Sequence, residues 1–560
     1  MNVQASSTRG MPAPLLVLLV ALWMTLVMNA PFWRKVCTAT GGLENDNPFF
    51  LGTLPLVVLA FNFVVLCLLA WGRLGKLVLV IMLLLSACVS YFMSNYGVMI
   101  DYSMLINAMQ TDRREVFDLL GPGLAFWVLL VGVVPAIVVS RIPVARPGYA
   151  RAGLSKAGSV LVALALIALI LALAYQSYAS LLRNHRELRL MLVPSNLVGA
   201  VHSYAKRQLR TPLTLEQVGL DAARQVNSAA GGRHKVVVLV VGETARAASF
   251  SLNGYERQTN PALATREVVS FSEVSACGTA TAISVPCMFQ DLGRREYRSI
   301  HGKSRENLLD VLQRAGVAVL WRDNNSGCKG ACDRVPSEEV DKLQIPGICN
   351  ADGCFDEALL HGLAERIDSS SDDTLIVLHM LGSHGPAYYK RYPQAFRRFT
   401  PTCDSSQLDK CDNAAIVNAY DNSILYTDHV LGQLLDLLKA REQRFDTAML
   451  YVSDHGESLG EKGVYLHGLP YAMAPSEQTR VPMVAWLSEG FARSGGASME
   501  CLRGRRDSPL SHDNLFHSML GLMGVSTSVY REELDLFRPC GAGPGQVAAA
   551  AANDAVRSAP

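Results

Sequence analysis

Apolar residues along this chain fall into two regimes. Up to about Ser180, Leu, Val and Ala form long runs with few charges, whereas beyond Arg233 short β-branched runs alternate with polar, turn-rich stretches. The long runs lie near Leu15–Met28, Phe49–Trp71, Leu77–Met99, Gly121–Val139 and Gly158–Tyr178, close to the ~20 residues that a bilayer core demands. They predict five transmembrane helices; five helices buried in a soluble core is the weaker reading. Among the short runs, Val236–Val241 closes with Gly242-Glu243-Thr244, and Thr447–Val452 closes with Ser453-Asp454-His455-Gly456. Such runs read as central parallel strands, and open α/β sheets place ligands at the carboxyl ends of their strands.

The predicted organisation follows. Residues 1–180 form a five-helix transmembrane domain, 181–235 a charge-mixed connector with bridging helices, and 236–540 an exported α/β domain with a mostly parallel central sheet. Residues 541–560 read as a disordered tail rich in Ala, Gly and Pro. Positive charge in short loops sets the orientation: Arg73 and Lys76 follow the second span, and Arg141, Arg146, Arg151 and Lys156 precede the fifth, so these loops are expected in the cytoplasm. A cleaved signal peptide after Arg9 is the competing reading of the first span, and it exports the C-terminal domain all the same.

Charge narrows the partners. Lys and Arg number 51 against 49 Asp and Glu, a formal net charge of +2, which argues against nucleic acid as the main partner. No internal repeat, dinucleotide fingerprint or Walker loop stands out. Of 13 cysteines, Cys37, Cys67 and Cys88 lie in the membrane half. The others are Cys277, Cys287, Cys328, Cys332, Cys349, Cys354, Cys403, Cys411, Cys501 and Cys540. Close sequential pairs among them suggest loop-stapling disulfides, as an oxidising compartment favours.

Glu243, Asp454 and His455 would converge on one crevice. Carboxylate oxygen and imidazole nitrogen suit zinc, and a three-ligand site with an open position is the catalytic arrangement. The Gly-Thr-rich turn from Cys277 to Ala282 looks like the entry to a helix that presents a hydroxyl, from Thr281 or, on chemistry alone, equally from Thr279. Each group has a bland reading as well: Asp-His-Gly is a common turn, and a lone threonine is more often a cap than a nucleophile. His361, His512 and His517 are read as structural. Between the third and fourth spans, Asn107, Thr111 and Glu115 recur every four residues and would share one helix face. That face suits a lipid head group or a plain interfacial helix; Arg113 and Arg114 beside it would meet phosphates or solvent.

Five longer segments carry a resemblance: VVGETARAASFSLNGYERQTNP from Val240, CGTATAISVPCMF from Cys277, WRDNNSGCKG from Trp321, HMLGSHGPAYYKRYP from His379 and YVSDHGESLGEKGVYLHG from Tyr451. In these, the chain resembles the lipid A phosphoethanolamine transferases, which include the mobile colistin-resistance enzymes, within the alkaline phosphatase and sulfatase superfamily. The resemblance implies that Glu243, Thr281, Asp454 and His455 hold a catalytic zinc, with Thr281 as the nucleophile. It places His384 and His467 at outer positions that serve catalysis, a second zinc or the transferred group. Glu296, Asn325, Lys329 and Glu457 fall around the phosphoryl group, and Asn107, Thr111 and Glu115 on a substrate-binding surface. It also implies bridges between neighbouring cysteines, Cys277 with Cys287 included; Cys501 with Cys540 is the remaining pair.

The implied activity is transfer of phosphoethanolamine from phosphatidylethanolamine to lipid A phosphates in the bacterial inner membrane, by a monomer, which would weaken cationic peptides such as polymyxin. The same core motif also fits transfer to core sugars or a periplasmic glycan, transfer of phosphoglycerol, and a hydrolase of the sulfatase or phosphatase type.

Overall fold

The computed structural model describes residues 10–40, 47–111, 113–145, 148–185, 187–209, 214–224, 233–493 and 497–540. Two compact units result: Met1–Ile106 with Leu120–Leu209, and Asn107–Leu119 with Arg210–Pro560. The tail expected over 541–560 lies outside the described residues.

In the first unit, Pro48–Leu69, Gly75–Tyr96, Pro122–Arg141 and Ala150–Leu173 are long and apolar enough to cross a membrane. Their outward side chains, Leu56, Leu68, Leu129, Leu161 and Leu169 among them, stay exposed in the isolated protein, as lipid-facing residues do. The first expected span, Leu15–Met28, falls inside the helical stretch Ala13–Met28, which meets a further helix, Ala30–Thr40, at a 62° bend, so the spans among the described residues number four, or five if the bent pair counts as one. The cause is Asn29, a buried amide whose nitrogen donates to the carbonyls of Met24 and Val193, at 2.9 and 2.8 Å. Its oxygen accepts the Val193 N–H at 2.8 Å, and Pro31 then suits the first turn of a new helix. After Leu173, helices Tyr175–Asn184, Leu188–Met191 and Ser195–Leu209 belong to the same unit.

The second unit is built on a seven-stranded sheet. Its strands are β1 (Lys235–Gly242), β2 (Val269–Phe271), β3 (Ala318–Asp323), β4 (Ser337–Glu339), β5 (Thr374–His379), β6 (Asp446–Ser453) and β7 (Met483–Leu487). The spatial order is β2-β7-β6-β1-β5-β3-β4. The five strands from β6 to β4 run parallel, while β7 and β2 are antiparallel additions at one edge.

Val236–Val241 is buried throughout, so both faces of β1 are covered and no polar alternation survives in the sequence. Val237, Leu239 and Val241 pack in one core with Leu308, Leu312, Phe516 and Leu520. The opposite layer includes the long helix Asn413–Lys439, which packs on β6. Each fully buried Val or Leu contributes roughly 1.5–3 kcal/mol, so a charge at Val238 would undo the centre of the sheet.

Five disulfides staple the loops of this unit: Cys277–Cys287, Cys328–Cys332, Cys349–Cys354, Cys403–Cys411 and Cys501–Cys540. Cys37, Cys67 and Cys88 are free.

One local expectation fails. Asn107, Thr111 and Glu115 do not share a helix, because helix Tyr102–Gln110 ends before Thr111 and Glu115 lies in the next, Arg113–Leu119. The Thr111 hydroxyl donates to the Asn107 carbonyl at 2.9 Å, a side-chain bond of the kind that bends and ends helices. The side chains of Arg113, Arg114 and Glu115 lie outside the described residues.

Candidate active site

Because β1, β3, β5 and β6 run parallel, their carboxyl ends form one edge. Gly242 pairs with Ser453 across β1 and β6, so the next residues, Glu243 and Asp454, emerge side by side. One ligand atom from each of Glu243, Asp454 and His455 lies within 4.8 Å of the others, and all three residues are buried. Thr244 takes a φ of 59°, a costly conformation for a β-branched residue that persists only where its surroundings over-determine it. Here its N–H donates to Asp454 Oδ1 at 3.1 Å and its carbonyl accepts the Tyr420 hydroxyl at 2.8 Å. A Cβ at Gly382 would lie 2.5 Å from the Glu243 carbonyl oxygen, so the loop after β5 passes this backbone as glycine.

Thr281 opens helix Thr281–Met288. Its Oγ1 lies 3.2 and 3.1 Å from the two Glu243 carboxylate oxygens and 3.3 Å from His455 Nε2. Thr279 instead donates to the Leu469 carbonyl at 2.6 Å. Of two hydroxyls that chemistry left equal, Thr281 is the one facing the cluster. Behind it, His512 Nδ1 accepts the Cys277 N–H at 3.0 Å and Nε2 donates to the Ser453 carbonyl at 2.9 Å. The Ser284 hydroxyl donates to the Asp454 carbonyl at 2.5 Å. These bonds and the Cys277–Cys287 bridge tie the threonine turn to the β6 turn.

Electrostatics singles out the same cluster. Burial, and then the charge of Glu243, push the Asp454 carboxyl up to about 6. Burial opposes charging of His455, but Asp454 and Glu243 outweigh it and raise the imidazole to about 10. Asp454 Oδ2 is buried, makes no hydrogen bond among the described residues and has His455 Nε2 at 3.4 Å, so positive charge at this point is favoured, whether from the imidazole or from a metal ion. His455 Nδ1 lies 2.9 Å from the Gly456 carbonyl; donation there leaves Nε2 as the nitrogen at which a metal ion would displace the proton. With the Thr281 hydroxyl, this donor set fits zinc.

A second group lies beside the first. The rings of His384 and His467 are 5.5 Å apart, and His467 is 4.3 Å from the His455 ring. His467 Nδ1 meets Glu457 Oε2 at 2.8 Å, and the Tyr388 hydroxyl donates to Glu457 Oε1 at 2.5 Å. Burial pushes the Glu457 carboxyl up to about 8 even though Tyr388, His455 and His384 oppose it. Glu457 thus carries a carboxyl whose charge is disfavoured, against the His467 ring that it touches.

The remaining expected residues divide. Asn325 donates to Glu243 Oε2 and to the Met380 carbonyl, both at 2.8 Å. Lys329, on the loop closed by Cys328–Cys332, folds back on Ser326 Oγ at 2.7 Å and reaches the Gln110 carbonyl at 3.5 Å. Glu296 is exposed at the end of the short helix Gly293–Glu296, and among the described residues no hydrogen bond or ion pair links it to the cluster. Asn107 and Thr111 bond to each other rather than to the cluster.

Comparison with known proteins completes the picture. Residues 235–525 match the sulfatase family model and residues 58–209 match that of phosphoethanolamine transferase EptA/EptB. Phosphoethanolamine transferase EptA of Salmonella typhimurium is 42% identical over 94% of this chain and 96% of its own. Phosphatidylethanolamine transferase Mcr-1 of Escherichia coli is 38% identical over 93% of this chain and 97% of its own. The solved structure of the integral membrane lipooligosaccharide phosphoethanolamine transferase A from Neisseria meningitidis superposes with a TM-score of 0.92. It is 39% identical and covers 94% of this chain and 99% of that one. The chain belongs to the phosphoethanolamine transferase family.

Within this transferase, sequence reasoning passed over a buried pair beneath the cluster. Asp323 and His379 end β3 and β5 in register, and His379 Nδ1 meets Asp323 Oδ2 at 3.0 Å. Asp323 Oδ1 also accepts the Asn325 N–H at 2.8 Å, which shapes the loop that delivers Asn325 to Glu243. The available signal was a polar residue closing an apolar strand, the pattern that had singled out Glu243 and Asp454.

Proposed function

We propose that this protein transfers phosphoethanolamine from phosphatidylethanolamine to phosphate groups of lipid A, at the periplasmic side of the inner membrane, through a phosphothreonine at Thr281. The observation that carries this reading is the Thr281 hydroxyl, within 3.3 Å of both Glu243 and His455 Nε2 and beside an Asp454 oxygen that makes no hydrogen bond among the described residues. A zinc ion held by Glu243, Asp454, His455 and Thr281 would supply positive charge that favours the alkoxide and the developing phosphoryl charge.

The protein groups do the rest. Glu243 and His455 aim Thr281 Oγ1 at the phosphorus, and the bond from phosphorus to the diacylglycerol oxygen breaks as the bond to Oγ1 forms. His467, bonded to Glu457 through Nδ1, would take up the proton that Thr281 Oγ1 gives up and protonate the departing oxygen with it. An acceptor phosphate oxygen then attacks the same phosphorus and releases Oγ1. The proton that the acceptor loses passes back to Oγ1 through His467, so over the cycle it balances the one that the diacylglycerol gains. Phosphoryl transfer asks for positioning and charge neutralisation more than for covalent chemistry; Asn325 serves it by holding Glu243 Oε2, and Lys329 would reach an equatorial oxygen on leaving Ser326 Oγ. Donor and acceptor are both lipids, so the apolar helices confine the search to the bilayer. The added amine offsets phosphate charge and lowers affinity for cationic peptides such as polymyxin.

Mass spectra of lipid A from a susceptible Gram-negative host test this. Expression of the protein should add phosphoethanolamine to lipid A, and Thr281→Ala should abolish the addition with the fold retained. With donor alone, the intact protein should carry phosphoethanolamine on the peptide containing Thr281. Unmodified lipid A despite good expression would move the acceptor to core sugars or glycan, and release of the group to water would make the protein a hydrolase.

A further inference from the structure

Helix Arg113–Leu119 belongs to the second compact unit, although long apolar helices flank it in sequence. Near its end, Asp118 Oδ1 meets Lys390 Nζ at 2.7 Å and Oδ2 meets Arg391 Nη2 at 3.3 Å. Arg391 in turn donates from Nε to the His384 carbonyl at 2.8 Å. The Arg391 side chain is only 8% exposed and that of Asp118 13%, so this is a largely desolvated pair. Lys390 has a second carboxylate, Asp352, at 3.0 Å and is more open to solvent.

The loop between His384 and Arg391 carries two groups of the outer site, His384 itself and the Tyr388 that donates to Glu457. From these observations we infer that Asp118 is a positioning residue for transfer: it anchors Arg391, which holds the backbone of His384 and the register of Tyr388 on Glu457 and His467. A guanidinium buried this far is stable only while paired, and removal of one partner leaves an uncompensated charge that the surrounding loop must move to solvate. Such movement reaches His384 and Tyr388. Glu243, Asp454 and His455 are fixed by strand ends on other elements; the loop meets Glu243 through the Ser383 N–H on its backbone carbonyl at 3.0 Å, on the strand side of His384 and away from the Arg391 anchor. Asp118 therefore serves the second half of the site and not the zinc ligands, even though its neighbours in sequence are the residues expected to meet lipid head groups. The inference rests on the reading that His384 and His467 take part in transfer, and the experiment separates the two.

Full-length protein in detergent micelles, with phosphatidylethanolamine and lipid A, should show kcat in Asp118→Asn reduced on the order of 10- to 100-fold, the scale of a misplaced catalytic group. KM for the donor should change less than about twofold, since head-group contacts would be untouched, and zinc affinity measured against a chromophoric chelator should match wild type. Asp118→Glu, which keeps the carboxylate, should recover most of the rate. Lys390→Ala should lose less than Asp118→Asn, because Arg391 keeps its partner. Wild-type kcat in Asp118→Asn overturns the inference, and so does a rate loss that merely follows loss of zinc or a lowered unfolding temperature, or one that Asp118→Glu does not relieve. Wild-type kcat in His384→Ala with Thr281→Ala inactive overturns the role of the outer histidines and Asp118's with it, while leaving the Thr281 reading in place.

Discussion

The two halves of the site are held in different ways. Glu243, Asp454 and His455 follow directly on parallel strands whose register sets them side by side. His384 and His467 sit on loops, and long-range bonds place them: Arg391 on the His384 carbonyl, Glu457 on His467 and Tyr388 on Glu457. The first half inherits the rigidity of the sheet, while the second depends on polar contacts that each add little and fail one at a time. A metal centre needs the first kind of support. The proton-transfer role proposed for the outer histidines is compatible with the second kind.

Substitutions in the two halves should therefore separate metal retention from turnover. Asp454→Asn should lose the tightly held zinc and lower transfer on the order of 1,000-fold or more, as expected when the main charge stabilisation is removed. His467→Gln should keep zinc on the strand-end ligands and lose on the order of 100-fold in kcat, the share of one proton-transfer group. Metal analysis beside kinetics reads both, and equal zinc loss in the two variants would erase the distinction.

Acid should probe the strand-end half through His512. Burial, with the charge of His455 behind it, pushes this imidazole down to about 4, below its ordinary 6.5. The unfolded chain then takes up the proton first, so the contribution to stability is complete above about pH 6.5 and disappears as pH falls to about 4. At about 1.4 kcal/mol per pH unit, this amounts to about 3 kcal/mol. Burial raises Asp428 and Asp535 to about 6, which acts in the opposite direction. The quantity to follow is thus the difference in unfolding free energy between wild type and His512→Gln, which should narrow from pH 7 to pH 4. A constant difference would mean that His512 is not held neutral.

The smallest effect belongs to Thr279. Thr279→Ala removes a hydroxyl bonded to the Leu469 carbonyl and should cost about 1 kcal/mol of stability, visible as a small fall in melting temperature, with lipid A still modified in full. Loss of transfer at constant zinc content would give Thr279 a part in the chemistry that its geometry does not suggest.

Much of the strand-end half was legible along the chain, since an all-apolar run closed by Glu243 or by Asp454-His455 combines a buried strand with a polar terminus. Asp323 and His379 close strands in the same way and escaped notice because each also reads as an ordinary turn residue. Asn107, Thr111 and Glu115 illustrate the opposite error. A spacing of four predicts one helix face, but the Thr111 hydroxyl competes for the Asn107 carbonyl, and the chain starts a new helix instead. Asn29 likewise left no mark in hydropathy, yet its amide sits at the 62° bend between the first apolar run and the helix that follows it.

The sequence by itself determined the apolar helices, the strands of the α/β unit, the residues that end them and the family, because each depends on local periodicity or on contiguous motifs. Tertiary structure alone decided which of Thr279 and Thr281 faces the carboxylates, that His512 ties the threonine turn to β6, and that Asp118 pairs with Arg391. These are contacts between residues far apart in the chain, each made by one polar side chain, and a single side chain leaves no period for the sequence to display.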